Sequence, residues 1–258
     1  RTIETVLDAY DPKHPHAGYV YGCYAFALEE TGDYQAAESW GRRGLEINPD
    51  DAWGLHAVAH VYEMQVDPDA GYRWVMENKA AWQGSNNFKV HVWWHVALFM
   101  LENGDHDGVL DLYDREIRAN KTDDYRDIAN GASLLMRLQL EGVDVGNRWE
   151  ELADLSEARI DDACLAFADL HYLMSLTGAE RWDAASRMVA RLNDTADNNL
   201  GDLGVVTRKA AAPMGEAMLA FAKGDHDAAV KAMKPVDEQL HRIGGSHAQR
   251  DVFRRVMT

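Results

Sequence analysis

Apolar residues recur along this chain at the three- and four-residue spacing of an amphipathic helix, and clean strand-like alternation is close to absent. Glycine, proline and asparagine residues interrupt this periodicity at short polar turns. The pattern therefore predicts an all-α chain of about six helix pairs. The predicted pairs cover residues 18–51, 51–82, 88–119, 124–158, 162–193 and 206–243.

Three of the predicted turns share a Gly-Asp step between two helices. They read TGDY, NGDH and KGDH, at 31–34, 103–106 and 223–226. In the first pair, small residues lie where two helices would cross, and a proline ends the second helix: Ala25, Ala37, Gly44 and Pro49. These features resemble the tetratricopeptide repeat (TPR), a helix pair of about 34 residues. The resemblance implies a right-handed α-α superhelix, a TPR-like solenoid whose first helices line a concave groove.

The spacing of the pairs leaves no linker long enough to separate two domains, so we predict one domain over residues 1–258. The Asp/Asn-rich stretch 193–204 predicts a flexible loop. Residues 244–258 follow a Gly-Gly break and predict a C-terminal capping segment. Because the chain begins with Arg1 rather than methionine, we expect that an N-terminal part of the protein precedes it.

Two of the predicted helices, 53–65 and 90–102, are almost wholly apolar and carry narrow polar stripes. At about 100° per residue, each stripe falls within about 60° of arc. The first stripe consists of His56, His60 and Glu63, and the second of His91, His95 and Glu102. Both stretches are first helices of consecutive pairs, so their stripes would face one groove. Buried polar groups need partners, which marks this place as a candidate site.

The stripes allow three interpretations. The imidazoles and carboxylates would hydrogen-bond one another and tie adjacent repeats together. Alternatively, histidines at positions i and i+4 would hold a divalent metal through His56, His60, His91 and His95. The third interpretation is a metal-free pocket for a small-molecule ligand or substrate, with histidine as general acid or base. The sequence leaves open whether the protein is an enzyme, and no cofactor is required by it.

For the pocket we assign roles to residues on the stripes and near the C-terminus. His60 or His95 would act as general base, oriented by Glu63 or Asp251. Arg250 would hold an anionic group of the ligand. The predicted catalytic residues are His60, His95, Glu63, His247 and Asp251. The predicted ligand-binding residues are His56, His91, His171, Trp53, Trp94 and Arg250.

Longer phrases carry a more specific resemblance. They are HAVAHVYEMQ (56–65), HVWWHVALFMLENGD (91–105), DIANGASLLMRLQLEGVDVGNRW (127–149), CLAFADLHYLMSL (164–176) and GGSHAQRDVF (244–253). In this order they resemble the tetratricopeptide repeat protein 38 family. The resemblance implies a TPR-like superhelix in the cytosol, with no assigned reaction. Members of that family are typically longer at the N-terminus.

The formal net charge of −17 argues against nucleic acid or an anionic membrane as a partner. The expected partner is a small molecule or a peptide in the concave groove, and a homo-oligomer is compatible with the sequence. The alternative function is a non-catalytic protein- or peptide-binding scaffold with structural histidines, and a second alternative is a metal-dependent, hydrolase-like site. Cys23 and Cys164 lie in apolar helical patterns without a second cysteine nearby, so we predict two buried free thiols in a cytoplasmic protein.

Overall fold

A computed structural model describes residues 2–256, apart from the side chain of Asp8. The described chain consists of helices joined by short turns, and β-strands occur nowhere in it. The all-α class is therefore confirmed, as is the arrangement in helical repeats. Backbone contacts divide the chain into two compact units, the first ending at Glu116 and the second beginning at Ile117. The prediction of one continuous domain stays a prediction.

The first unit contains one leading helix and three helix pairs. Its helices are α1 (Thr2–Ala9), α2 (Ala17–Glu30), α3 (Tyr34–Ile47), α4 (Ala52–Met64), α5 (Pro68–Glu77), α6 (Phe88–Glu102) and α7 (His106–Leu112). A π-helical turn, Tyr113–Ile117, follows α7. The pairs α2–α3, α4–α5 and α6–α7 match the first three predicted pairs.

The second unit contains the other three pairs and a final helix. Its helices are α8 (Tyr125–Leu140), α9 (Arg148–Glu157), α10 (Ala166–Gly178), α11 (Trp182–Asn198), α12 (Asp202–Val206), α13 (Ala212–Ala222), α14 (His226–Met233) and α15 (His247–Arg255). A π-helical turn, Thr207–Ala211, joins α12 to α13, and a 3-10 helix, Asp237–Ile243, follows α14. The pairs α8–α9, α10–α11 and α12/α13–α14 match the remaining predictions.

The repeated Gly-Asp step has a direct physical basis. Gly32, Gly104 and Gly224 have φ values of 87°, 73° and 79°, a left-handed conformation that ends the preceding helix without steric cost. The aspartate that follows each glycine accepts a hydrogen bond from the backbone N–H three residues later. One residue therefore closes a helix and its neighbour caps the next.

A close crossing of α2 and α4 organises the start of the first unit. Asp51 caps α4 by accepting a hydrogen bond from the Gly54 N–H at 3.0 Å. Its carboxylate lies against Gly22, Gly44 and Gly54, where any Cβ would collide with it or with backbone. Small residues are therefore required where these helices approach each other.

The predicted loop over 193–204 is mostly helical, because α11 continues to Asn198 and α12 begins at Asp202. The Asn198 side chain donates a hydrogen bond to Asp194 one turn earlier, and Asn193 donates to Glu216. Thr195 and Ala196 are buried. The polar side chains thus find partners within the helix and on α13, and only 199–201 connect the two helices.

The C-terminal residues 244–256 end in α15, which packs on α8 in the second unit. Val252 and Phe253 are fully buried there. The buried Arg137 guanidinium of α8 donates a hydrogen bond to the Ala248 carbonyl at 2.8 Å. Ser246 and Gln249 form a capping box that starts the helix. The last two residues of the predicted segment, 257 and 258, lie outside the described part of the chain.

Two smaller features complete the comparison with the sequence. Cys23 and Cys164 are free, as predicted, but both are exposed, so the prediction of buried thiols is wrong. Cys23 lies on the exposed side of α2, and Cys164 precedes α10 instead of lying within it. Between residues 2 and 256, no helix combines the length and apolar character needed to span a membrane.

Candidate functional site

Four imidazoles converge between α4 and α6 in the first unit. We call His56, His60, His91 and His95 the histidine cluster. One ring nitrogen of each lies within 4.8 Å of a ring nitrogen of the others. The rings of His60 and His95 have centroids 4.5 Å apart, and those of His56 and His91 are 4.9 Å apart. The two stripes therefore face each other, as the helix spacing predicts.

The position of the cluster follows from its helices. α4 and α6 begin consecutive pairs, and their remaining side chains are mostly apolar and buried. His56 and His60, one turn apart on α4, meet His91 and His95, one turn apart on α6. Of the four, His60 and His95 are fully buried, His56 is 2 % exposed, and His91 is partly exposed. Access to the cluster is therefore from the side of His91.

Two carboxylates, from Glu63 and Glu29, flank the cluster. Glu63 Oε2 lies 2.9 Å from His95 Nδ1, a hydrogen-bond distance. Glu29 Oε2 on α2 lies 3.7 Å from His60 Nδ1, and both of these side chains are fully buried. Each carboxylate thus faces the Nδ1 side of an imidazole, and the orienting role predicted for Glu63 stays a prediction. Glu102 of the second stripe is exposed and does not belong to the site.

Burial affects both the hydrogen bonds and the pKa of His56. Its Nε2 lies 3.0 Å from His60 Nε2, whereas its Nδ1 is buried and has no hydrogen-bond partner among the described residues. Burial, followed by the proximity of His60, His95 and His91, holds the pKa of His56 well below its usual value. This imidazole is therefore neutral near pH 7, with one ring nitrogen able to serve as a ligand or proton acceptor.

Aromatic rings surround the cluster. Trp94 stacks on His91 with an interplanar angle of 14°, and Phe26 stacks on His56 at 20°. The Trp53 ring lies 5.0 Å from that of His56 and is 38 % exposed, at the accessible side. Trp53 and Trp94 thus lie against the histidine cluster, and their role in binding a ligand stays a prediction. Trp93, by contrast, packs on Trp82 in the core.

The other four predicted site residues belong to the second unit. His171 is buried on α10 and its Nδ1 lies 2.7 Å from the Phe167 carbonyl. Arg250 donates to the carbonyl of Gly245, and Asp251 accepts from Arg255 at 2.5 Å. His247 is partly buried at the start of α15. Their membership in a site shared with the histidine cluster stays a prediction.

Sequence reasoning does not identify Glu29, Phe26 or Phe88 as neighbours of the histidines. Glu29 stands one residue before the end of α2, followed by Glu30, and such a pair is typical of an exposed helix end. Its burial depends on the packing of α2 against α4, which helix periodicity does not specify. The one signal in the sequence is an acidic residue on an otherwise apolar helix.

No family model matches this chain. Among solved structures, the chain is similar to YrrB, described as a TPR protein with an unusual peptide-binding site. The TM-score is 0.45 at 12 % sequence identity, and the match covers 91 % of this chain and 98 % of that one. Membership in the tetratricopeptide repeat protein 38 family stays a prediction.

Proposed function

We propose that the histidine cluster and its flanking glutamates form a binding site for a small ligand or substrate in a helical-repeat protein, and that an imidazole serves there as proton acceptor. The observation that supports this is the hydrogen bond between Glu63 and His95. A carboxylate on Nδ1 fixes the proton there and makes Nε2 the acceptor nitrogen of the ring. His95 Nε2 is buried on the side of the other imidazoles.

The surroundings of the cluster suit a pocket that is apolar but has a few fixed polar groups. Phe26, Trp53 and Trp94 supply the apolar walls, and the imidazoles supply the polar contacts. The Glu63 side chain is 19 % exposed, so the site also reaches solvent beside Glu63. A ligand entering there meets His95, whose Nε2 would accept a proton from it.

The alternative, a peptide-binding scaffold whose histidines are structural, makes the opposite prediction about stability. Buried groups that exist for structure cost about 1–3 kcal/mol each when a partner is removed. Groups kept for function are often neutral or destabilising to the fold, and their removal leaves the free energy of unfolding unchanged or raises it.

The test is the free energy of unfolding of His60→Gln and His95→Gln, measured with urea at a pH of about 7.5. We expect both variants to stay within about 0.5 kcal/mol of the parent protein or to exceed it. His226→Gln, the same substitution at an exposed position of α14, is the matched control. Losses of more than about 2 kcal/mol in both cluster variants, with the control unchanged, would assign the histidines to structure.

A further inference from the structure

We propose that the ligand of the histidine cluster is a single divalent transition-metal ion, coordinated by His56, His60, His91 and His95. This inference rests on the proposed function, since it names the ligand class of the same site. In the metal-bound state, His95 Nε2 is a ligand atom and not a proton acceptor. It is carried by the convergence of four imidazole nitrogens in a mostly buried place, beside two carboxylates that face the opposite ring nitrogens.

The spacing of the ring nitrogens is close to what a tetrahedral ion needs. With metal–nitrogen distances of about 2.0–2.1 Å, ligand atoms of a tetrahedral site lie about 3.3 Å apart. His56 Nε2 and His60 Nε2 are 3.0 Å apart, and the four-residue set lies within 4.8 Å. Small ring rotations about side-chain bonds, without movement of α4 or α6, would bring the remaining nitrogens to that distance.

The flanking carboxylates place the protons where metal binding requires them. Histidine ligands in proteins usually donate their second ring N–H to a carboxylate or carbonyl, which fixes the ring and raises its basicity. Glu63 lies at Nδ1 of His95, and Glu29 lies on the Nδ1 side of His60. Both rings thus direct Nε2 toward the cluster, and the two carboxylates together offset the charge of a divalent cation.

Without a metal, the hydrogen bond between His56 and His60 leaves another nitrogen of His56 without a partner within residues 2–256. One of the two Nε2 atoms must donate a hydrogen bond and the other must accept it. If Nδ1 of His60 carries its proton toward Glu29, Nε2 of His56 is the donor, and Nδ1 of His56 is left buried with no hydrogen-bond partner in the described part of the chain. A metal ion bound to both Nε2 atoms replaces their mutual hydrogen bond, because each nitrogen then gives its lone pair to the ion and His56 carries its proton on Nδ1.

The donor set limits the choice of metal. Imidazole nitrogen suits Zn²⁺, Cu²⁺, Ni²⁺ and Co²⁺, whereas Mg²⁺ and Ca²⁺ require oxygen ligands. His91 is the ligand at the accessible side, stacked on Trp94. It is consequently the position at which an exogenous molecule would reach the ion, while His56, His60 and His95 hold it from within the core.

A second set of potential metal ligands shares His60 with the histidine cluster and requires a control variant. Glu29, Glu30 and His60 also place one potential ligand atom each within 4.8 Å of one another. In our assignment Glu29 only orients His60, and Glu30 has no part in metal binding. Glu30→Gln should therefore retain the metal affinity of the parent protein. If Glu30→Gln instead lowers the metal affinity more than His91→Gln does, the ion is bound by Glu29, Glu30 and His60, and the assignment is overturned.

The experiment is titration of chelator-treated protein with Co²⁺, followed by calorimetry and by the visible absorption of tetrahedral Co²⁺, with Zn²⁺ as competitor. We expect one equivalent per chain with nitrogen-only ligation, and at least a tenfold lower affinity for His60→Gln and His91→Gln. Glu63→Gln should weaken binding about 10- to 100-fold. His226→Gln is expected to bind as the parent does, and circular dichroism verifies that each variant is folded.

The outcomes separate the two proposals. Binding of less than about a tenth of an equivalent of either ion by the folded parent overturns the metal site. If His60→Gln and His95→Gln nevertheless keep the parent's stability, the pocket for a metal-free ligand stands. If they lose it instead, both proposals fail together. Stoichiometric binding that is unaffected by His60→Gln and His91→Gln also overturns the assignment.

Discussion

His95 Nδ1 lies 2.9 Å from Glu63 Oε2, although the residues are 32 positions apart and stand on α6 and α4. The contact joins the first helices of two consecutive pairs through polar groups, in a region otherwise filled by apolar side chains. It fixes the tautomer of one imidazole and thereby the direction in which the acceptor nitrogen of that imidazole points.

Replacement of Glu63 should therefore change the protonation pattern of His95. In Glu63→Ala, Nδ1 loses its acceptor, and we expect a loss of the Nδ1–H tautomer. Long-range ¹H–¹⁵N correlation spectra of the metal-free protein report the tautomer directly. Glu63→Gln keeps an acceptor oxygen and should preserve it. An unchanged His95 spectrum in Glu63→Ala would contradict the assigned hydrogen bond.

Asp51 should make the protein less stable at high pH than at low pH. One carboxylate oxygen caps α4, but Oδ2 is buried with no hydrogen-bond partner within residues 2–256, and burial raises the pKa to about 6. The folded state therefore holds the proton more tightly than the unfolded chain. The resulting stability is fully present below the unfolded pKa of about 3.9 and is lost as pH rises through about 6.

Asp51→Asn keeps an oxygen for the cap and removes the buried charge. We expect this variant to exceed the parent by roughly 3 kcal/mol at about pH 8 and to match it at about pH 4, measured by urea unfolding. Asp33→Asn is the control, because Asp33 caps α3 in the same way from an exposed position. Equal effects of the two substitutions at the higher pH would show that burial of Asp51 is not the cause.

The helix pairs could be predicted because their turns have local causes. Gly104 ends one helix through its backbone conformation, and Asp105 starts the next through its side chain. Both residues can therefore be recognised in the sequence as helix boundaries. The stretch after Asn193 differs from its prediction for a related reason. Asparagine and aspartate favour turns, but here the exposed side chains of Asp194 and Asn198 hydrogen-bond each other along α11.

The candidate site could be predicted only where one helix face defines it. His56 and His60 share a face by spacing alone, and so do His91 and His95. Glu29 comes from α2 of the preceding pair, and its approach to His60 depends on how closely α2 and α4 cross. That distance is set by glycines and by the Asp51 cap, which act through packing and not through periodicity.

The packing of α5 on α6 should be sensitive to one methyl group. Gly71 faces the buried ring of Phe99, and a Cβ at this position would overlap three ring carbons. Gly71→Ala should cost about 1–3 kcal/mol despite the better helix propensity of alanine. Gly84→Ala is the control, since no atom of the described residues lies within 4 Å of the added Cβ there. A thermal midpoint for Gly71→Ala at or above that of the parent would show that the Phe99 ring relaxes freely.

His171 should make the second unit sensitive to acid. Burial lowers the pKa of this histidine to about 4, against the hydrogen bond to the Phe167 carbonyl, which raises it. Between about pH 6.5 and about pH 4 the unfolded chain binds a proton at this residue that the folded protein does not. Stability contributed by the neutral imidazole is therefore present above a pH of about 6.5 and is lost as pH falls toward about 4.

The loss attributable to His171 should reach roughly 3 kcal/mol, and His171→Leu should abolish it because leucine does not titrate. The quantity to measure is the difference in unfolding free energy between about pH 7.5 and about pH 4, in the parent and in the variant. Other titrating groups are common to both proteins and cancel in this comparison. His226→Leu, at an exposed position, should leave the parent's pH dependence intact. An identical acid loss in His171→Leu and the parent would place the acid sensitivity elsewhere in the chain.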